Sequence, residues 1–596
     1  MSFVDWAVLL GTLGFIVGYG TWKTRKSSTR ESYMRGGADS RWWSVGLSVM
    51  ATQASAITFL STPGQGYSDG MGFVQFYFGL PLAMLVIGAV FIPLFYKWKV
   101  YTAYEFIGRR FDGRVRLLTA VLFLIQRSMG AGITIYAPSI ILAKVLHWPL
   151  SGTCIFIGAL VILYTTTGGA RAVGVTHMHQ MAVMILGIVT AFGLIVHHLS
   201  NELTFSESLH VANALGKLDV IDLSWNPRDK YTLWSGLIGG FFLQLSYFGT
   251  DQSQVQRYLT GQSVAQARQG LWMNGVLKIP MQFFILLTGV LVFVFYLFHA
   301  TPLHWNEANL TAARARDDTS LVRELETSHV ALMERRGQLA EELVGSWRRG
   351  DAASAETSLA DLKRVEAGDA DLQRQFKHRL HELDPKAEAN DTDYVFITFI
   401  MEHLPIGIIG LLLAMIFCAG MSSTSAELSA LATTSTIDVL RPKRSDQDPK
   451  RSDQDPKRSD QDPERSDQSS DRSDQHSDRS EQSDVRITKI ATVVFGLIAL
   501  GFAALFSLFA NLIQAVNVIG SLFYGTILGI FLVAFFIRRV HGPAVFFAAL
   551  TAQATILALH FTGVEIAFLW YNLIAPAIVV VLAIAMQALL GRARAA

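Results

Sequence analysis

Long apolar stretches alternate with short basic segments over most of this chain. Apolar windows near the roughly 20 residues needed to cross a hydrocarbon core recur at 4–22, 42–66, 73–96, 115–147, 150–168, 177–199, 232–250, 266–299, 394–439, 487–510, 512–537, 542–562 and 567–591. Thirteen transmembrane helices are therefore predicted, several long enough to tilt or to include a re-entrant turn. The basic residues are one-sided. Lys23, Arg30 and Arg35 follow the first span, Lys97, Lys99, Arg109 and Arg110 the third, and Arg257 and Arg268 the seventh. Arg441, Lys443 and Arg444 follow the ninth, Arg538 and Arg539 the eleventh, Arg592 and Arg594 the last. Odd-numbered spans all exit into basic loops. The positive-inside rule then predicts a multi-pass protein of the plasma (inner) membrane, N-terminus outside and C-terminus cytoplasmic.

Two polar segments interrupt this pattern. Residues 306–390 follow the eighth span and are expected outside. Leu321, Leu325, Leu332, Leu339 and Leu343 repeat at helical spacing, and Leu359, Leu362, Leu372, Phe376, Leu380 and Leu383 form a second stripe beyond Gly350. A helical hairpin is predicted. The other segment reads KRSDQDP three times from Lys443, followed by three degenerate copies. A seven-residue period invites a coiled coil, but no unit holds an apolar residue for a seam. With nothing to bury, this tract is expected to be a disordered cytoplasmic loop.

The resulting organisation is a peripheral first helix and loop (1–41), a first part of the membrane core (42–305), the helical-hairpin insertion (306–390), and a core segment at 391–440. The heptapeptide-repeat loop (441–486), the last core helices (487–540) and accessory helices (541–596) complete it. Composition agrees: 51% of residues are hydrophobic and 16% charged, where a soluble domain carries about a quarter charged. A net charge of +2 gives no reason to expect nucleic acid, and no protein partner is predicted. Cys154 and Cys418 both lie in apolar runs, which argues against a disulfide framework. The first residues, Met1–Trp6, lack the basic n-region of a cleaved signal peptide. No nucleophile elbow, metal-ligand cluster or phosphate loop is present, so no enzyme and no cofactor is predicted.

Two polar patches lie at membrane depth. Ala419-Gly420-Met421-Ser422-Ser423-Thr424-Ser425 sits inside the apolar run of the ninth span. Small residues and hydroxyls there serve either close helix packing or coordination of a small hard cation by oxygen. The second span holds Met50–Thr58 and then Thr62-Pro63-Gly64-Gln65-Gly66. Helix breakers beside a polar patch predict a discontinuous helix, which survives in a membrane only when buried or lining a cavity. Arg127, in the fourth span, is a costly intramembrane charge and a functional candidate, unless it snorkels to the surface.

Several stretches together resemble the sodium:solute symporter family, closest in look to its monocarboxylate, vitamin and iodide branch. They are Thr102–Phe106, Tyr136-Ala137-Pro138, Tyr164–Val173, Asp251–Leu259 and Ser422–Asp438. The resemblance implies an all-α membrane fold with an inverted five-plus-five helix repeat. It implies a sodium ion held by the carbonyls of Ala51, Ala54 and Ala419 and the hydroxyls of Ser422 and Ser423. By position it also implies substrate contacts from Thr58, Tyr77, Gln244, Tyr247, Phe248 and Lys278, to which Arg127 is added from its charge. A carboxylate common in sugar-carrying relatives is missing. Where two-sodium relatives place an aspartate and a hydroxyl, this chain has His177 and Ala426, so one sodium per substrate is expected, with His177 an ordinary polar residue at a helix start. The expected function is sodium-coupled import of a small organic solute, an organic anion such as a monocarboxylate or vitamin, by alternating access. The expected partners are that solute, the sodium ion and the lipid bilayer. A sugar or polyol symporter is the alternative, and a transporter-like membrane sensor the remote one.

Overall fold

The computed structural model describes residues 1–596 except 25–28, 147, 386, 388, 443–462, 506–511 and 596. Among the described residues the fold is all-helical, with one isolated bridge between Ser40 and Gly261 and no strand. In chain order the helices that matter here are α1 (Phe3–Thr24), α2 (Trp42–Gln53), α3 (Ala56–Asp69), α4 (Gly113–Leu146) and α5 (Leu150–Leu199). After them come α6 (Gly240–Thr250), α7 (Val264–Phe298), α8 (Leu321–Arg349), α9 (Ala352–Leu383) and α10 (Thr392–His403). The last are α11 (Ile408–Thr434), α12 (Pro463–Leu505), α13 (Leu512–Phe536), α14 (Gly542–Phe561) and α15 (Tyr571–Ala595).

Among the described residues, ten helical runs are long and apolar enough to cross a membrane. The thirteen expected spans differ from these in three places. The second span is split into α2 and α3, and the run from Ala56 continues to Trp98 through a tight 3₁₀ segment at Gly70–Tyr77. The fifth and sixth spans share α5, whose 50 residues bend at Gly169. There φ is +58° and ψ −162°, a conformation open to glycine alone. The seventh span is helical over 233–250, with a π-helical segment at Ser235–Gly239 leading into α6, and is not among the ten runs.

The break in the second span comes earlier than its proline and glycines suggest. α2 stops at Gln53, Ala54 turns out with ψ 79°, and α3 restarts at Ala56. Pro63, Gly64 and Gly66 lie inside α3. Their role is approach: a Cβ on Gly64 would strike the Thr392 carbonyl, and one on Gly66 the Leu286 carbonyl. The ninth span likewise divides, into α10 and α11, at Leu404-Pro405.

α11 is the axle of the bundle. Every residue from Leu412 to Thr434 is buried, as expected of a helix without a polar face turned to solvent. It packs on α5, α4, α1, α3 and α2. α1, by contrast, buries only Asp5, Leu9, Ile16, Gly20 and Thr24, so it is peripheral.

The insertion folds as the two helices α8 and α9, reversed at Gly350 with φ +72°. It is tied down. Arg336 donates to the carbonyls of Tyr296 (2.6 Å) and His299 (3.2 Å), and Arg348 pairs with Glu207 at 2.8 Å. Lys377 and His304 both stand 3.1 Å from Asp391, which also accepts from Trp305 N at 2.7 Å. Burial opposes ionisation of Asp391, yet His304, Lys377 and that amide together hold its carboxyl below the usual range.

The repeat tract departs from expectation in part. Residues 443–462 lie outside the described residues. From Pro463 the chain is helical and continuous with the apolar part of α12. Proline suits a first helical position, and extending an existing helix avoids the cost of nucleation. Its last turn is anchored: Asp484 meets Arg441 at 2.7 Å and Arg30 at 3.4 Å. Cys154 and Cys418 are both free and buried.

Candidate functional site

The break between α2 and α3 faces the middle of α11. Ser422 Oγ donates to the carbonyls of Ala51 and Ala419, each at 2.9 Å. Ser423 Oγ donates to Ala419 O at 3.0 Å and Gly420 O at 3.3 Å. Ala51, Ala54 and Ala419 are fully buried. The structure thus joins Ala51, Ala419, Ser422 and Ser423 through shared oxygens, while Ala54 sits at the end of α2 where helical pairing of carbonyls lapses. Every donor in this set is an uncharged oxygen. To accept a cation the two hydroxyls need only turn their protons away from the carbonyls, exposing lone pairs.

His177 is not at a helix start. It lies inside α5, fully buried, between the same two helices. Nε2 is 3.1 Å from Ser422 O, and Nδ1 is 2.9 Å from Ser48 Oγ and 3.2 Å from Ser48 O. Each ring nitrogen faces a carbonyl, which can only accept, and Nδ1 also faces the Ser48 hydroxyl, so the proton of the neutral ring serves one carbonyl or the other. The imidazole is a strut from α2 to α11.

Beside the break is a cavity of about 100 Å³. Thr58, Tyr77, Gln244, Tyr247, Arg127 and Ser423 all line it, as do Thr134, Gln126, Glu427 and Tyr524. Two expected residues do not. Phe248 is buried behind Tyr247, packed edge-on with ring centres 4.9 Å apart. Lys278 is buried on the far side of Tyr77, its ammonium 5.4 Å from the ring centre. It has no hydrogen-bond partner, nor do the side-chain amides of Asn274 and Gln282, one turn away on either side of it along α7.

Arg127 neither snorkels nor offers a free charge. Nη1 donates to Glu427 Oε1 at 3.0 Å, and Nη2 to Tyr524 Oη at 2.6 Å and to the Asp251 carboxylate. Its guanidinium also lies over Tyr247, 5.4 Å from the ring centre. Asp251 Oδ1 caps the following helix through Ser253 N (2.8 Å) and Oγ (2.6 Å). Glu427 Oε2 accepts from Thr134 Oγ1 at 2.8 Å, and Thr134 receives from Thr424 at 2.9 Å.

Glu427, Asp251, Tyr524, Thr134 and Gln126 were not singled out as site residues from sequence. For Glu427 a signal existed: a carboxylate one helical turn beyond Ser423 in an apolar span marks a functional position by default. Asp251 lay in a stretch noted for resemblance alone.

Residues 33–323, just under half of the chain, match the family model described as the sodium:solute symporter family. The human sodium-coupled monocarboxylate transporter 1 is 34% identical over 41% of this chain and 40% of its own length. Human sodium-coupled monocarboxylate transporter 2 is 30% identical over 42% and 40%. The human sodium/iodide cotransporter is 30% identical over 45% of this chain and 41% of its length. The chain thus spans about two fifths of the length of the curated relatives it matches. A solved substrate-bound, outward-open structure of a Na+-coupled sialic acid symporter covers 99% of this chain and 98% of its own, with a TM-score of 0.70 and 22% identity. That likeness concerns the fold, and it takes in α11, which lies beyond the matched segment. By that segment and these relatives the chain is similar to sodium:solute symporters over residues 33–323, and by its architecture it shares the fold of one of them.

Proposed function

We propose that the protein is a sodium-coupled secondary symporter that imports a small organic anion by alternating access. The observation that carries this reading is the α2–α3 break set against Ser422 and Ser423, where neutral oxygens converge without any competing cation. A neutral oxygen set binds a monovalent ion weakly enough to release it, which a symporter requires. Sodium would enter at Ala51, Ala54, Ala419, Ser422 and Ser423. It would bridge the mobile end of α2 to the buried axle α11, and so bias the bundle between its two states.

The anionic class rests on Lys278 and not on Arg127. Arg127 is compensated by two carboxylates, whereas the Lys278 ammonium is buried without a partner behind the cavity wall. A solute carboxylate reaching past Tyr77 would relieve that burial. The relatives described above as monocarboxylate transporters and an iodide cotransporter are anion carriers and support the same class. A sugar or polyol is favoured by one observation only: Gln126 and Gln244 present unpartnered amide oxygens at the cavity, suited to hydroxyl donors. The basic loops are placed in the cytoplasm and the N-terminus outside, in the plasma membrane.

Purified protein in proteoliposomes tests this reading. An inward sodium gradient should drive uptake of a radiolabelled short monocarboxylate, with competition by other carboxylates and none by sugars. Ser423→Ala should raise the sodium requirement about tenfold, equivalent to about 1.4 kcal/mol. Uptake indifferent to sodium, or a sodium requirement unchanged in both Ser422→Ala and Ser423→Ala, would return these serines to helix packing.

A further inference from the structure

The cavity wall carries an unbalanced charge. Arg127 and Glu427 are its charged lining residues, and Asp251 stands behind Arg127. One guanidinium therefore faces two carboxylates, all of them buried. Asp251 Oδ1 accepts from Ser253 N and Oγ, and its other oxygen from Arg127 and Tyr524. Glu427 accepts from Arg127 on one oxygen, and its other oxygen shares the Thr134 hydroxyl with the Ala131 carbonyl. Asp251 is thereby saturated, whereas Glu427 Oε2 has one shared neutral donor and faces the cavity. A second negative charge kept from water is costly unless a cation or a proton joins it.

A second, independent feature points the same way. Gln126 Oε1 and Gln244 Oε1 line this cavity, buried and without partners. Unpartnered buried acceptors want a donor or a cation. An anionic solute would also be repelled by the excess carboxylate unless the latter were neutralised first. Lys278 does not do this from behind the Tyr77 ring, outside the ion network.

We propose that Glu427, with the Thr134 hydroxyl, forms a second sodium site in the central cavity, separate from the Ser422–Ser423 site, so that two sodium ions accompany each anion. The expectation of a single sodium rested on His177 and Ala426 at one familiar position. His177 does close that position, by spanning Ser48 and Ser422, but the cavity supplies a carboxylate elsewhere. The inference rests on the sodium-coupled reading above.

Equilibrium binding of radioactive sodium to the full-length purified protein, joined to reversal potentials in proteoliposomes, tests it. Wild type should bind two sodium ions and show a two-sodium coupling ratio. Glu427→Gln should bind one and couple one. Because Glu427→Gln also removes a partner of Arg127, Thr134→Val supplies the second variant. It keeps both charges and should weaken one of two sodium sites about tenfold. One sodium bound by wild type, two retained in Glu427→Gln, or one sodium plus one proton per solute would each overturn the second site. Those outcomes leave sodium coupling standing. No sodium bound and no sodium-driven uptake would overturn the symporter reading itself.

Discussion

Arg127 and Lys278 are both buried cations within reach of one cavity, and they are built oppositely. The surroundings of Arg127 contribute two carboxylates, a tyrosine hydroxyl and an aromatic face, from α11, α13, α6 and the residue that follows α6. Those of Lys278 contribute one aromatic face and nothing that accepts a proton. The first is a fastening that holds α4, α6, α11 and α13 at one point. The second is a basic group with no ion pair, which the proposed reading assigns to the solute. Intramembrane charge alone does not separate structural from ligand-binding roles; the partner count does.

Substitution should separate them most sharply at Arg127. Arg127→Gln leaves Asp251 and Glu427 facing each other without compensation, a loss of about 3–5 kcal/mol for a broken buried pair. Thermal unfolding in detergent should show a large drop in midpoint, partly recovered when Glu427→Gln is added. An undiminished midpoint in the single variant would make the fastening reading untenable. Lys278→Met should do the reverse. Removing an unpaired buried ammonium leaves stability level or improved, while solute affinity falls at least tenfold, or about 1.4 kcal/mol. Ligand-induced thermal shift reads both quantities on one sample, and unaltered solute affinity would remove Lys278 from the binding role.

Much of this was legible in the sequence. Hydrophobic length alone locates the helical runs, and the hydroxyls of Ser422 and Ser423 stand out because α11 is otherwise apolar. Thr58, Tyr77, Gln244 and Tyr247 do meet at one cavity. A discontinuous helix was expected from Pro63, Gly64 and Gly66 beside the polar patch; the break comes at Ala54, and these breakers instead let α3 approach Thr392 and Leu286. The pairing of Arg127 with Glu427 joins residues 300 positions apart. Periodicity reports which residues share a face of one helix, and is silent on which helices meet. His177 was misjudged for the same reason, its two partners lying 129 and 245 positions away.

The smallest expected effect lies outside the bundle, where paired charges reach solvent. Arg348 and then the Thr204 amide hold the Glu207 carboxyl down at about 2, against an ordinary 4.5. A depressed folded value means that this tie between hairpin and bundle is intact above about pH 4.5. It is lost as pH falls through about 2. Trp347, stacked on His210 with ring centres 4.2 Å apart, offers a fluorescence signal beside it. The signal should hold at pH 5 and drift in that acid window, with Asp391, also held low, adding to the drift. Glu207→Gln should weaken the dependence; an identical profile in that variant would detach the tie from Glu207.

The four-membered cluster of Arg127, Asp251, Glu427 and Tyr524 also bears on how such a chain can change over generations. Replacing Arg127 alone strands two buried carboxylates, whereas replacing Glu427 alone leaves Arg127 balanced by Asp251. Drift toward an uncharged cavity must therefore begin at a carboxylate, and the remaining ion pair must go in one compensated step. Arg127 and one carboxylate are expected to be inherited together, while Lys278, which makes no ion pair, remains free to vary with the solute.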